Sequence, residues 1–223
     1  MINTIIELSA EPVGFHDVAD ELTADMFVSS IPTQHSHDYY CDEELGLYIG
    51  VWDTTDMQEA PGAYELEEFM VILVGEASIK NNQTGHIETV QAGESFVIPK
   101  GYDCQWQQQG YLKKFYVILD NDKLAANNQN VNSIAHFSAN QNNESYENEQ
   151  HTLKAGVSNT NDNLNCSKDY RFVSVLKGRL TLTDSSENNQ SFGENATIFI
   201  KKGQVVSSSI SADYKQYFAN ISI

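Results

Sequence analysis

The chain has 223 residues, enough for one domain or two small ones with a sizeable core. Thirteen basic against 31 acidic residues give a formal net charge of −18, which disfavours nucleic acid and anionic membranes as partners, because phosphate contacts need clustered cations. Three cysteines, Cys41, Cys104 and Cys166, are odd in number, widely spaced and without a CxxC pair, which argues against a disulfide framework and a zinc ribbon. The amino terminus has no basic start and no run is long enough to span a bilayer, so a cytoplasmic location is expected.

In chain order, Val18, Leu22 and Met26 recur every four residues and fit one short amphipathic helix over 18–27. Strands at Ile5 to Leu8 and Phe27 to Ile31 are the alternative. Gln34 to Glu44 is polar and reads as a solvated loop holding His35 and His37. From Leu47 the character changes. Leu47 to Trp52, Phe69 to Val74, Ala77 to Lys80, His86 to Val90, Ser95 to Pro99 and Lys114 to Leu119 are short runs rich in β-branched and aromatic residues. Turn-forming residues separate them, which is the spacing of an all-β sandwich or barrel. Asn81 to Gly85 is a hairpin turn, and Pro99-Lys100-Gly101 is a corner that aims Cys104 and Trp106. Lys113 and Lys114, at the start of their strand, are expected at a solvated edge.

Residues 120–150 are dominated by Asn and Gln, with one candidate strand at Ser133 to Ser138, and read as a linker. Beyond this linker the chain repeats itself. Gly50-Val51 returns as Gly156-Val157, Glu68 to Gly75 as Arg171 to Gly178, Ile98 to Gly101 as Ile200 to Gly203, and Lys113 to Tyr116 as Lys215 to Phe218. The near-constant offset marks an internal duplication. The expected organisation is a domain over 1–120, a linker over 121–150 and a degenerate second copy over 151–223. Two such barrels can pack as a pseudo-dimer, and a homodimer is the further assembly expected.

Gly93, Pro99, Gly101, Cys104 and Gln108 fall on the positions of the second cupin motif, and Glu68 and Gly75 close the first. The chain therefore resembles a cupin, a small jelly-roll barrel, and its duplication implies a bicupin. Gly50-Val51-Trp52, Pro61-Gly62, Glu68, Gly75 and Lys114-Phe115-Tyr116 are similar to the ureidoglycine aminohydrolase type. The resemblance implies a metal held by three histidines and a glutamate, but Pro61, Gly62, Ala63 and Tyr64 span the first two histidine positions and Cys104 the third. No metal or other cofactor is expected; a bound ion would have to use Glu68, Cys104 and an imported His35 or His37. In the second copy Arg171 replaces Glu68 and Val206 replaces Cys104, which reads as a structural barrel.

The resemblance points Glu68 and Cys104 into the lumen as the candidate catalytic pair, with Trp52, Tyr64, Phe96, Trp106, Gln108 and Tyr116 as candidate ligand-binding residues. A desolvated Glu68 would serve as general acid or base, or would pair with a cationic amine. Cys104 is a nucleophile only if a neighbouring cation lowers its pKa. Two functions are compatible with these residues: a binder of a small polar or amine-bearing metabolite, or a hydrolase or isomerase acting on a small nitrogenous compound.

Overall fold

The computed structural model describes residues 5–124, 131–160, 168–205 and 207–223; Cys166 and Val206 lie outside them. The strands are β1 (Ile5–Leu8), β2 (Gln34–Asp42), β3 (Leu47–Thr54), β4 (Met57–Gln58), β5 (Gly62–Ala63), β6 (Glu67–Val74) and β7 (Glu76–Asn81). Next come β8 (Ile87–Gln91), β9 (Ser95–Ile98), β10 (Asp103–Gln108), β11 (Leu112–Leu119), β12 (Ala135–Phe137), β13 (Glu144–Glu147) and β14 (Leu153–Ser158). The last are β15 (Tyr170–Lys177), β16 (Leu180–Thr183), β17 (Asn189–Phe192), β18 (Thr197–Ile200), β19 (Ser207–Ile210) and β20 (Lys215–Ile221). The chain is all-β jelly roll, as expected, and among the described residues no helix is long and apolar enough to cross a membrane.

Two compact units divide it: Ser9–His136, and Met1–Leu8 with Phe137–Ile223. Each has one large and one small sheet. The first unit sets the order β12-β9-β6-β11-β3-β2 against a sheet built on β4-β10-β7-β8, with β5 beside β10. The second unit repeats this with β1-β18-β15-β20-β14-β13 and β17-β16-β19.

The duplication is legible to the residue. Lys114 pairs with Ile72 and Trp52 across β11, and Gln216 pairs with Val175 and Ser158 across β20. The register slips at the same place in both copies, beside Lys113 and beside Lys215. The repeated glycine has a steric cause. A β-carbon on Gly50 would run into the His37 carbonyl and the Tyr116 hydroxyl, and one on Gly156 into the Glu144 carbonyl.

Four expectations are corrected. Residues 18–27 form no α-helix: a single 3-10 turn spans Ala24–Met26, and the Asp20 N–H donates to the Gln34 carbonyl, which ties that stretch to β2. Gln34–Asp42 is no loop but a strand paired along β3, because its alternating side chains half-bury one face. The organisation into 1–120, 121–150 and 151–223 also shifts. Ile5 to Leu8 pair with β18, and the Asn-rich stretch contributes β12 and β13, since a short edge strand needs backbone partners more than apolar residues. Finally, Lys113 and Lys114 are buried, because β11 lies in the middle of its sheet between β6 and β3.

Candidate functional site

The corner at Pro99 builds the first wall. The Tyr102 N–H closes the turn on the Pro99 carbonyl at 3.1 Å, and Gly101 takes φ of +90°, which glycine reaches without steric cost. The Gly101 N–H donates to the Tyr64 carbonyl at 2.8 Å and the Lys100 N–H to Glu67 Oε2 at 3.2 Å. The corner thus fixes the stretch carrying Tyr64 and Glu68. It also turns the chain into β10, whose Cys104 and Trp106 enter the same core cluster as Met70, Ile72 and Phe96.

A buried ion pair lies at the centre of this unit. Lys114 Nζ is 2.8 Å from Glu68 Oε1 and 3.1 Å from Met70 Sδ, and it lies over the rings of Trp52 and Trp106 at 4.7 and 4.8 Å. The Tyr64 hydroxyl donates to the other oxygen, Glu68 Oε2. Burying an ammonium is costly, and here the carboxylate, the thioether and two π faces offset that cost. Both oxygens of Glu68 are therefore engaged by the protein itself. Burial, reinforced by the Glu68 charge, raises the Tyr64 hydroxyl well above the usual tyrosine range, so it stays a donor.

Beside this pair opens a cavity of about 470 Å³, lined by Phe27, Gln34, Glu59, Tyr64, Cys104 and Trp106 among others. Its floor comes from β10 and its rim from the segment before β2. That segment is held down where the Val28 N–H donates to the Gln58 carbonyl and the Ala60 N–H to the Met26 carbonyl. Glu59 stands apart in this wall. Among the described residues no hydrogen bond or ion pair reaches its carboxylate. Burial pushes its pKa from 4.5 up to about 7; the Glu68 charge adds to the rise, and Lys114 only partly offsets it.

Cys104 is held in the reverse of a nucleophile's environment. Burial, then the charges of Glu59 and Asp103, push its thiol up to about 12. A thiol that stays protonated at neutral pH is a poor attacking group.

The other candidate residues divide. Trp52, Tyr64, Trp106, Cys104 and Glu68 gather around the ion pair and cavity. Phe96 is fully buried core, its ring 5.9 Å from that of Trp106. Gln108 accepts from the Trp106 indole N–H at 3.0 Å and donates to the Thr55 and Gly110 carbonyls, so it anchors the indole. Tyr116 donates to Asp38 Oδ1 at 2.6 Å and does not line the cavity. Two residues of the site, Gln34 and Glu59, are not signalled by any motif in the sequence. Lys114 falls in the Lys114-Phe115-Tyr116 match but reads in sequence as a solvated-edge residue, although on a strand it shares a face with Tyr116. Glu59 lies just past the two-residue strand β4, where no periodicity announces a pocket.

Comparisons with known proteins agree with this architecture. Residues 45–116 match the family model of the EutQ-like cupin domain. A cupin domain is thus matched over residues 45–116, and the solved structures below share the fold. The chain is similar to a protein of unknown function of the DUF861 family from Pseudomonas syringae pv. tomato str. DC3000, with TM-score 0.68 and 16% identity over 97% of this chain and 99% of that one. A putative glyoxylate-induced protein from Pseudomonas aeruginosa aligns with TM-score 0.64 and 9% identity, over 100% of this chain and 90% of that one. A cupin 2 conserved barrel domain protein from Leptotrichia buccalis gives TM-score 0.53 and 10% identity, over 84% and 88%. No curated protein matches the sequence.

The metal that the cupin resemblance implies does not fit the donors of this lumen. The acid position, Glu68, already faces an ammonium, whose like charge would repel a divalent ion. Among the described residues no histidine lines the cavity.

Proposed function

We propose that the first unit is a metal-independent small-molecule site that takes an amine-bearing metabolite, and that the second unit is its structural counterpart in a bicupin. The observation that carries this is the unpartnered, partly buried carboxylate of Glu59 in the cavity wall. Lys114 and Glu68 cancel each other's charge, while Tyr64 and Cys104 stay neutral, so Glu59 supplies the field a ligand meets. The other acid on the lining, Glu65, is exposed, and among the described residues no lysine or arginine lies there. The counter-charge for the amine is thus Glu59 in place of Glu68, with Gln34 as a polar contact and Phe27 and Trp106 as apolar walls. An amine salt-bridged to Glu59 would hold it ionised and stabilise the fold by mass action. Thermal shift with a panel of small primary amines, at a pH above about 7 where Glu59 ionises, tests this. A rise in Tm in the wild type that is absent in Glu59→Gln is expected. Equal shifts in the two proteins, or none in either, would overturn it.

One observation favours a catalytic reading of the same cavity. A carboxyl with a pKa of about 7 is matched to proton transfer at neutral pH, which suits hydrolysis or isomerisation of a small nitrogenous compound of the ureidoglycine type. Turnover of ureido and amino-acid derivatives by the wild type, lost in Glu59→Gln and following a pH profile with a limb near 7, would support it. Binding without turnover leaves the first reading standing.

A further inference from the structure

On the opposite face of β3 from Trp52, away from the cavity, three side chains of metal-binding type converge. Asp53 is 1% exposed, and its register partner across β2 is His35. His35 Nδ1 lies 2.8 Å from Asp53 Oδ1, and His16 Nε2, from the segment that crosses over the sheet, lies 2.7 Å from Oδ2. One ligand atom from each of His16, His35 and Asp53 lies within 4.8 Å of the others, and this is the one such group among the described residues. The Tyr111 hydroxyl also donates to Asp53 Oδ2, at 2.6 Å. Burial opposes ionisation of Asp53, but the hydrogen bonds from Tyr111, His16 and His35 outweigh it and hold the carboxyl below its usual range.

We infer that His16, His35 and Asp53 form a site for a divalent transition ion of the zinc type, outside the barrel lumen. Two imidazoles and a carboxylate are a zinc-type donor set and a poor one for magnesium or calcium, which take oxygen ligands. Bonds of about 2.0–2.1 Å to each ligand bring donor atoms to roughly 3.3 Å from one another. The two His–Asp contacts end on different oxygens of Asp53, so with one carboxylate oxygen as ligand one contact opens slightly while the wider separations, up to 4.8 Å, close toward that spacing. The adjustment falls on His16, whose side chain is 49% exposed and lies outside any strand. The ring nitrogens that face Asp53 become ligands once their protons move to the far nitrogen of each ring, and Tyr111 keeps Asp53 oriented. Lys113 is the other register partner of Asp53; its charge is taken up by Glu11, while its ammonium lies over the rings of Phe15 and Tyr111. Three protein ligands leave a fourth position open beside the exposed edge of His16.

The ion would staple the segment before β2 onto the sheet. That segment continues through Asp20, held by Ser36 at 2.7 Å, to Met26 and Phe27 on the cavity rim. Metal bound to the folded form alone stabilises it in proportion to the logarithm of free metal over Kd.

The test is cobalt spectroscopy on the full chain after chelator treatment. One equivalent of Co2+ should give intense visible d–d bands, bleached by Zn2+ and unaffected by excess Mg2+. His16→Gln and His35→Gln should each lower affinity at least about tenfold, since even partners outside the ligand set are worth 10–100-fold. His37→Gln, whose ring rests 4.7 Å from that of Tyr39, and Glu59→Gln should bind as the wild type does. Because His16 is half-exposed, its variant is expected to keep the metal-free Tm. Absence of the bands, or equal affinity in wild type and His16→Gln, overturns the inference.

Discussion

The two units share strand order, register and even the site of the register slip, yet their interiors differ in kind. Where the first unit places Lys114 against Glu68, the second has Gln216, which accepts from the Tyr214 hydroxyl at 2.8 Å and donates to the Thr160 carbonyl at 3.2 Å. Where the first has Glu68, the second has Arg171, buried with its guanidinium 5.4 Å from the Phe218 ring. Val173, Val175, Leu180, Leu182, Ile198 and Ile200 join Tyr214 in a core of aliphatic side chains. The backbone of a jelly roll therefore does not decide whether its interior is a site; two or three side chains on the central strands do. A charge pair keeps the first interior polar and leaves Glu59 as its uncompensated acid, whereas an amide, the buried Arg171 and aliphatic packing fill the second.

The largest expected effect breaks the charge pair. Lys114→Met should destabilise the protein by about 3–5 kcal/mol in urea unfolding, because Glu68 is left buried without its cation. Adding Glu68→Gln should recover much of that loss, since removing both charges removes the desolvation cost. In the second unit, Gln216→Met should cost only about 1–3 kcal/mol, the penalty of leaving the Tyr214 hydroxyl without its acceptor. Equal losses in the two units would erase the distinction between them.

A smaller effect sharpens it by pH. Glu59 holds its proton more tightly folded, with a pKa of about 7 against 4.5 unfolded, so its contribution is fully present below 4.5 and is lost as pH rises through about 7. Melting temperature should fall across that window in the wild type, and the fall should be shallower in Glu59→Gln. The mildest prediction concerns reactivity. With its thiol pushed up to about 12, Cys104 should resist alkylation at neutral pH until the protein unfolds, and Cys104→Ser should leave amine binding within a few-fold. Peptide mass mapping of alkylated, folded protein reads this out site by site.

Much of the fold was legible in sequence because strands in a two-sheet barrel alternate and glycines recur where neighbours crowd them. The six runs from Leu47 to Leu119 each correspond to a strand, and the turn at Asn81 closes where the Gly85 N–H meets the Asn81 carbonyl. What stayed hidden was decided by pairing across long separations. Ile5 to Leu8 find their partners nearly two hundred residues away on β18, and nothing local in that tetrapeptide signals it. The candidate site was half legible. Motif positions led to Glu68, Cys104 and Tyr64, but a motif marks a place without saying what else arrives there. Lys114 reaches Glu68 from a strand 46 residues later and neutralises it. Glu59 gains its character from desolvation in the cavity wall and from lacking a partner, two properties that no local pattern encodes. Likewise His35 reads as a loop histidine until β2 and β3 set it opposite Asp53.

Glu59 is the residue on which the proposed site depends, and a carbon-13 NMR titration of its carboxyl, assigned by comparison with Glu59→Gln, tests its role most directly. The prediction is a midpoint near 7 in the free protein that moves lower when a small primary amine is added. A midpoint near 4.5 that is indifferent to amines would contradict it.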